Sequence, residues 1–380
     1  MTEHGKSHEL LVYIAGTGRS GSTLLDLLLN QHSRIQSVGE VHRLNHYART
    51  DQEPCTCGRR VLECPFWRRV QAEAERAGRV LGGGVSGDAL RPSPYPSLKG
   101  RGVFWGDGEL LTQGELLTQF DMMLRPADVG GLASLVQRGL LILGHKGIFH
   151  RLAPRLFGPH KDAIDNSLFW YEMIRRASGC PIVVDSSKDV RRLKSLYFAA
   201  PDAFRCIHLV RDGRAVAFSA MRRRGQTMAG AARDWRRLQR FTLWSQWTIP
   251  ARQRIRIRYE DLCQNPAETL EAICGFLEIP FEPSMTALRK VEAHNIGGNP
   301  MRYRQAEQEI RLDGRWREGL SRSELAAFEA IAGRLNASLG YAAGDEIVKM
   351  DEHKSLPKQS SRGADGRLEN QPVSPREVCA

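Results

Sequence analysis

Short apolar runs alternate along the chain with longer stretches of helical periodicity, and the runs set the architecture. Five of them read as buried strands: Leu10 to Ala15, Ser33 to Val38, the PIVVD segment from Pro181, Cys206 to Val210, and the alternating RIRIR of Arg254 to Arg258, whose Ile255 and Ile257 share a face. A helix is expected over Thr23 to Asn30 after the first, over 189–200 after the third with a break at Pro201, over Ala215 to Met221 after the fourth, and over 266–278 after the fifth, ended by Pro280. Met228 to Thr248 is a further helical stretch, in which Trp235, Trp244 and Trp247 are expected to pack inward. Strands alternating with helices predict an α/β fold, a doubly wound parallel sheet flanked by helices. Between the second and third strands, residues 50–180 read as a mainly helical insertion suited to acceptor recognition, with helical segments near Leu132 to Leu143 and Asn166 to Ala177. Within it, Gly82 to Gly108 is a long Gly-, Pro- and Ser-rich loop, either a mobile lid or a disordered excursion. Arg311 to Leu320 and a helix over Ser321 to Leu339 close the pattern, so residues 8–342 are expected to form a single domain. Residues 350–380, polar, charged and poor in apolar positions, are expected to be a disordered tail.

The first strand–turn–helix unit carries the most chemistry. Its turn runs from Gly16 to Ser22 and aims consecutive backbone N–H groups, with the positive end of the following helix, at one anion. Gly16, four residues and then Gly21 match the start of a Walker A loop, which makes the sheet P-loop-like; but Ser22 and Thr23 stand where that pattern has Lys followed by Ser or Thr. In an open parallel sheet the carboxyl ends of the strands face the ligand, which brings Glu40 and the Asp185-Ser186-Ser187-Lys188 turn to the loop. Glu40 reads equally well as a helix-start acid favoured by the dipole, and Lys188 as a solvated helix-start lysine. After the fourth strand, Arg211 at the strand end and Ser219 in the helix can converge on a second anion through guanidinium donors, or RDGR is a tight turn with charged ends. The run Arg222 to Arg224 lines the mouth of the site or forms a solvated face. Tyr259, in the YEDL turn, is placed to stack on or bond a ligand at the shared edge.

Charge and cysteine usage narrow the classes. In 380 residues Lys plus Arg outnumber Asp plus Glu by 55 to 43, a formal +12 that suits anionic partners. No aromatic–basic strip or nucleic-acid module is visible, so nucleic acid is not an expected partner. No apolar run approaches the ~18 residues of a membrane span, and the polar MTEHGKSHE start lacks the features of a secretion signal, so the expected location is cytoplasmic. The eight cysteines are expected to be mostly reduced thiols. Cys55, Cys57 and Cys64 suggest zinc or a local disulfide. Structural zinc normally takes four ligands with thiols in pairs two to four residues apart, and no fourth is evident unless His42 or His46 folds back, so no metal is expected.

GTGRSGSTLL, the Gly39-Glu40 pair, VRDGRAVAFS and YEDL, in this order over residues 10–262, together resemble the nucleotide-binding core of the PAPS-dependent sulfotransferases, especially the tyrosylprotein and carbohydrate branch. With the Trp-containing closing loop the resemblance spans most of 8–342, the insertion excepted. It implies that Arg19, Ser20, Gly21, Ser22 and Thr23 hold the 5′-phosphosulfate, that Arg211 and Ser219 grip the 3′-phosphate, and that Glu40 is the base. It also places Lys188, of the Lys188-Asp189 pair, on the transferring sulfonate, with Arg19 assisting. The expected enzyme is of the EC 2.8.2 class. It moves a sulfonate from PAPS to a hydroxyl of a glycan, lipid or small metabolite by in-line attack, without a metal. His294 to Trp316 departs from the family pattern, leaving Arg302, Arg304 and Arg311 as candidate lid contacts. A P-loop kinase or NTPase with a degenerate loop is the alternative; it needs a substitute for the lysine and a metal-binding acid, for which Asp185 is the strand-end candidate. A noncatalytic anion-binding scaffold is disfavoured by the presence of both Glu40 and Lys188.

Overall fold

Five parallel strands organise the computed structural model, which describes residues 9–44, 47–48, 53–77, 104–105, 109–110, 158–288, 293–303 and 309–342. They are β1 (Leu10–Gly16), β2 (Ile35–Ser37), β3 (Ile182–Asp185), β4 (Phe204–Val210) and β5 (Arg254–Arg258). Their order across the sheet is β2-β3-β1-β4-β5. The chain leaves β1 for one side of the sheet and later crosses to the other, so the switch point where such sheets bind ligands lies at the carboxyl end of β1.

The central position of β1 explains its continuous apolar run. Side chains alternate along a strand, and both faces here are covered. Leu11, Tyr13 and Ala15 enter a core with Val38, Leu193, Leu196 and Phe204, while Leu10, Val12 and Ile14 enter a second with Leu25, Leu28, Ile207 and Leu209. At the sheet edge, β5 keeps half-buried Arg254, Arg256 and Arg258, a pattern that protects an exposed strand from foreign pairing, and sends Ile255 and Ile257 to the second core.

The helices after the first, third and fourth strands, over the 228–248 stretch and after Asn265 fall where the periodicity places them, whereas the helix over Pro65–Arg76 is unexpected and YEDL, read as a turn, opens a short helix. In chain order the helices are α1 (Ser22–Leu29), α2 (Pro65–Arg76), α3 (Gly158–Ser178), α4 (Val190–Ala199), α5 (Gly213–Arg224), α6 (Met228–Gln246), α7 (Tyr259–Gln264) and α8 (Pro266–Phe276). From the insertion, α2 and α3 share the first core through Phe66, Trp67, Val70, Trp170 and Ile174. The expected closing helix is instead Arg322–Phe328, a wider π turn over Glu329–Gly333, and Arg334–Ser338, with Ser321 and Glu324 forming a capping box at its start. One packing expectation fails. Trp235 is buried, but Trp247 is 39% exposed, because it caps the end of α6 and Ile249 takes the core position instead. Of the expected 82–108 loop, only Phe104–Trp105 is described, paired antiparallel with Glu109–Leu110. The Leu132 to Leu143 segment and the 350–380 tail lie outside the described residues. No described helix is long and apolar enough to cross a membrane.

Candidate active site

The loop after β1 is built from its own backbone. Gly21 has φ 94°, and a Cβ there would lie 2.3 Å from the Tyr259 ring, so only glycine lets the loop turn into α1 over that ring. Ser20 Oγ donates to the Thr17 carbonyl at 2.8 Å, and Arg19 is held left-handed at φ 70°. Buried Thr17 Oγ1 has no hydrogen-bond partner among the described residues. An anion cradle at the N-terminus of α1, with an unmatched hydroxyl beside it, fits an oxyanion ligand.

Two neighbouring strand ends supply an acid and a base. Gly39 and Ile296 form a parallel bridge, and the Glu40 amide donates to the Ile296 carbonyl at 2.7 Å, which fixes the turn that aims Glu40. From the end of β3, Lys188, itself left-handed at φ 62°, sends Nζ to Glu40 Oε1 at 2.8 Å and to Ser22 Oγ at 3.1 Å. The structure thus brings together three residues that lie far apart in sequence: Ser22, Glu40 and Lys188. Burial acts to raise the Glu40 pKa, but Lys188, with Arg43 and Arg302, outweighs it and holds the carboxyl below its ordinary value. Glu40 is therefore an anion in the resting protein. Asp189 caps α4 by accepting from the Arg191 and Arg192 amides, which locks the Lys188 turn from the other side.

The RDGR turn after β4 divides its arginines. Arg211 points to the loop: Nη1 donates to the Arg19 carbonyl at 3.1 Å, Nη2 to the Asp313 carbonyl at 3.0 Å, and the guanidinium lies 4.4 Å from the Tyr259 ring centroid. Its Nε is buried without a hydrogen-bond partner among the described residues. Arg214 turns away, pairing with Asp212 at 2.7 Å and Glu329 at 3.4 Å. Ser219 lies half-buried along α5. Tyr259 is a floor for Gly21 and Arg211, and burial pushes its phenol up to about 12, so it stays neutral. Arg222 and Arg223, near the end of α5, are exposed.

Several neighbours carry no signal in the linear pattern. Thr23 Oγ1 accepts the Asn299 amide at 3.0 Å, and Asn295 bonds both Asn30 and Ser37, so the 294–299 loop closes over α1. Gly297 packs against Glu40, where an added Cβ would lie 2.9 Å from the Glu40 Cβ. Asp26 in α1 is buried and accepts from Ser37 and Ser186 at 2.6 Å each. Of the candidate lid arginines, Arg302 is buried and paired with Glu53 at 2.7 Å, Arg311 is exposed beside Glu309, and Arg304 lies outside the described residues. The three-cysteine cluster is completed not by His42, buried elsewhere, nor by His46, which is not described, but by His294.

The cradle, the Glu40–Lys188 pair at its rim and the Arg211 guanidinium thus meet at the carboxyl end of a P-loop-like sheet. Residues 156–283 match the model of the sulfotransferase family. That stretch includes Lys188, Arg211, Ser219 and Tyr259, and the match supports a sulfotransferase enzyme, for which PAPS is the implied sulfonate donor. No curated protein sequence matches it. Among solved structures it is similar to the sulfotransferase domain of the olefin synthase from Synechococcus PCC 7002, with 18% identity, a TM-score of 0.48, and 90% of this chain and 98% of that one covered. It is also similar to the sulfotransferase domain of the curacin biosynthetic pathway, with 17% identity, a TM-score of 0.46, and coverage of 88% and 98%. For a sulfotransferase from Alicyclobacillus acidocaldarius the figures are 14%, 0.38, 87% and 96%.

Proposed function

We propose that the protein transfers the sulfonate of PAPS to a hydroxyl of a glycan, lipid or small metabolite, with Glu40 as the general base. The observation that carries this reading is the Lys188 ammonium, in contact with both the Glu40 carboxylate and Ser22 at the N-terminus of α1. One cation thereby joins the base to the anion cradle.

The residue types fit the charge changes of the reaction. The acceptor oxygen bonds to sulfur as the bond from sulfur to the bridging phosphate oxygen breaks, the hydroxyl proton passes to Glu40, and 3′,5′-ADP departs. Arg19, the amides from Ser20 to Thr23, and the Ser22 and Thr23 hydroxyls would hold the 5′ end. Arg211 with Ser219 would hold the 3′-phosphate, for which the unmatched Arg211 Nε is a ready donor. Lys188 has two tasks that follow one another. In the resting protein its charge depresses the Glu40 pKa; when it turns toward the anionic group in the cradle, that depression is relieved and Glu40 becomes a stronger base as negative charge develops beside the lysine. Tyr259 and Asp313 keep Arg211 in place from below and behind.

The test is incubation of the purified chain with ³⁵S-labelled PAPS and a fractionated cell extract, with binding of 3′,5′-ADP and of ATP plus Mg²⁺ compared in parallel. Transfer of label to a hydroxyl-bearing product, with preference for 3′,5′-ADP, is the expected result. Preference for ATP would overturn it in favour of a kinase or NTPase. That outcome is disfavoured because Asp185, the acid such an enzyme would use for its metal, is fully buried against Arg192, Tyr171 and Ser187.

A further inference from the structure

Cys55, Cys57, Cys64 and His294 bring one ligand atom each to a common point, all within 4.8 Å of one another. We propose that they bind one structural zinc ion. The spacings are those of a coordination shell. Cys64 Sγ lies 3.6 Å from the sulfurs of both Cys55 and Cys57, and His294 Nδ1 lies 3.3 Å from Cys64 Sγ and 3.7 Å from Cys55 Sγ. A tetrahedral zinc with bonds of about 2.3 Å to sulfur and about 2.0–2.1 Å to nitrogen has edges of about 3.8 Å between sulfurs and about 3.5 Å between sulfur and nitrogen. A disulfide needs about 2.05 Å between sulfurs, and Cys64 Sγ stands 3.6 Å from each of the other two.

The surroundings are those of a closed structural site. Cys55 and Cys64 are fully buried, His294 is 6% exposed, and Cys57 is half-buried. Three soft sulfurs and an imidazole select zinc over the oxygen-seeking cations, and four protein ligands leave no open position for catalysis. The sequence builds the knuckle locally: Gly58 at φ 85° lets the Gly58 amide reach the Cys55 carbonyl at 2.8 Å and the Cys55 amide reach the Arg59 carbonyl at 2.9 Å. Cys64 stands at the N-cap of α2, where the helix dipole favours a thiolate. The imidazole is sandwiched on Phe66, rings 5.0 Å apart and 7° from parallel, which fixes its plane.

The location gives the ion a purpose. It ties the 53–64 segment to the 293–303 segment, which otherwise meet through Thr56 with the Asn295 carbonyl, Arg302 with Glu53, and Tyr303 with the Pro54 carbonyl. Next to His294 are Asn295, bonded to α1 and β2, and Ile296, whose carbonyl receives the Glu40 amide. A zinc at His294 therefore anchors the strap that positions Glu40. Binding converts three thiols to thiolates and releases their protons to solvent, with no change in oxidation state.

The experiment is metal analysis of the full chain purified under reducing, zinc-replete conditions and dialysed against a weak chelator, followed by replacement with Co²⁺. About one zinc per chain, and cobalt spectra with thiolate charge-transfer and intense tetrahedral visible bands, are expected. Less than about a tenth of an equivalent of zinc, iron in its place, or a metal-free chain two mass units lighter through a disulfide would each overturn the assignment. Cys57→Ser, at the most exposed of the four positions, should weaken zinc retention by about 10-fold or more while keeping the fold; retention equal to that of the parent would overturn the four-ligand site. None of these readouts depends on sulfonate transfer, so the metal can fail while the proposed reaction stands, and the reverse.

Discussion

Two buried cation–carboxylate pairs stand at the carboxyl end of β3, and they differ in what surrounds them. Asp185 and Arg192 are sealed, with side chains 0% and 1% exposed; Tyr171, Ser187 and Ser167 complete the network around them. Glu40 and Lys188 make a shorter contact, 2.8 Å against 3.2 Å, yet remain 11% and 15% exposed, because the pair opens on the cradle. The sealed pair can only hold the fold, whereas the open pair can exchange one partner for a ligand. The largest expected effect breaks the open pair. Glu40→Gln and Lys188→Ala should each lower turnover by ~10²–10⁴-fold while 3′,5′-ADP binding, measured by calorimetry, changes little for Glu40→Gln. Turnover within threefold of the parent in Glu40→Gln would remove it as the base.

Breaking the sealed pair should do the opposite. Arg192→Leu leaves Asp185 buried and uncompensated, a change that typically costs ~3–5 kcal/mol of stability. Denaturant unfolding should register that loss, while turnover per folded molecule stays near the parent value. An equal loss of turnover would mean that the two pairs act as one unit.

How much of this was legible in the sequence follows from the range of each interaction. The five strands and the loop after β1 were readable because period and turn chemistry are local, and the continuous apolar run of β1 states its burial on both faces. Glu40 and Lys188 could be set near the loop by the rule that strand ends face the ligand, but their 2.8 Å contact spans 148 positions and has no linear trace. Arg211 could be set at the site by its place at the strand end, but where Arg214 goes had no linear trace; it turns away because Asn336 and Glu329 from the closing segment take the Asp212–Arg214 side. His294 was invisible as the partner of Cys64, 230 positions away, since histidines nearer the thiols offered the shorter path. Trp247 misled because a helical period continues past the last turn that the core covers.

The grip proposed for Arg211 on a 3′-phosphate can be tested apart from the cradle. Arg211→Ala should weaken 3′,5′-ADP binding by about 10²-fold, the scale of a lost bidentate charge-assisted contact. A nucleotide with no 3′-phosphate should bind parent and variant alike. Loss of affinity for both nucleotides would instead mean that Arg211 acts by shaping the loop through the Arg19 carbonyl.

Asp26 extends the comparison to a third carboxylate, one with no salt-bridge partner among the described residues. It is bonded only to the Ser37 and Ser186 hydroxyls, and burial, against those bonds and the more distant Lys188, raises its pKa from 3.8 to about 6. Between those two values the native state keeps a proton that the unfolded chain has released. Unfolding free energy therefore falls as pH rises from about 4 to about 6, and is level above that. The full difference is on the order of 3 kcal/mol. Asp26→Asn keeps an acceptor and a donor for the two serines and removes the titration. Relative to the parent, it should thus gain stability across that window, measured by urea unfolding at pH 4.5 and pH 7.5. An unchanged difference between the two pH values would show that Asp26 is already ionised at the lower one, held so by Lys188, and that the lysine's field reaches beyond its contact with Glu40.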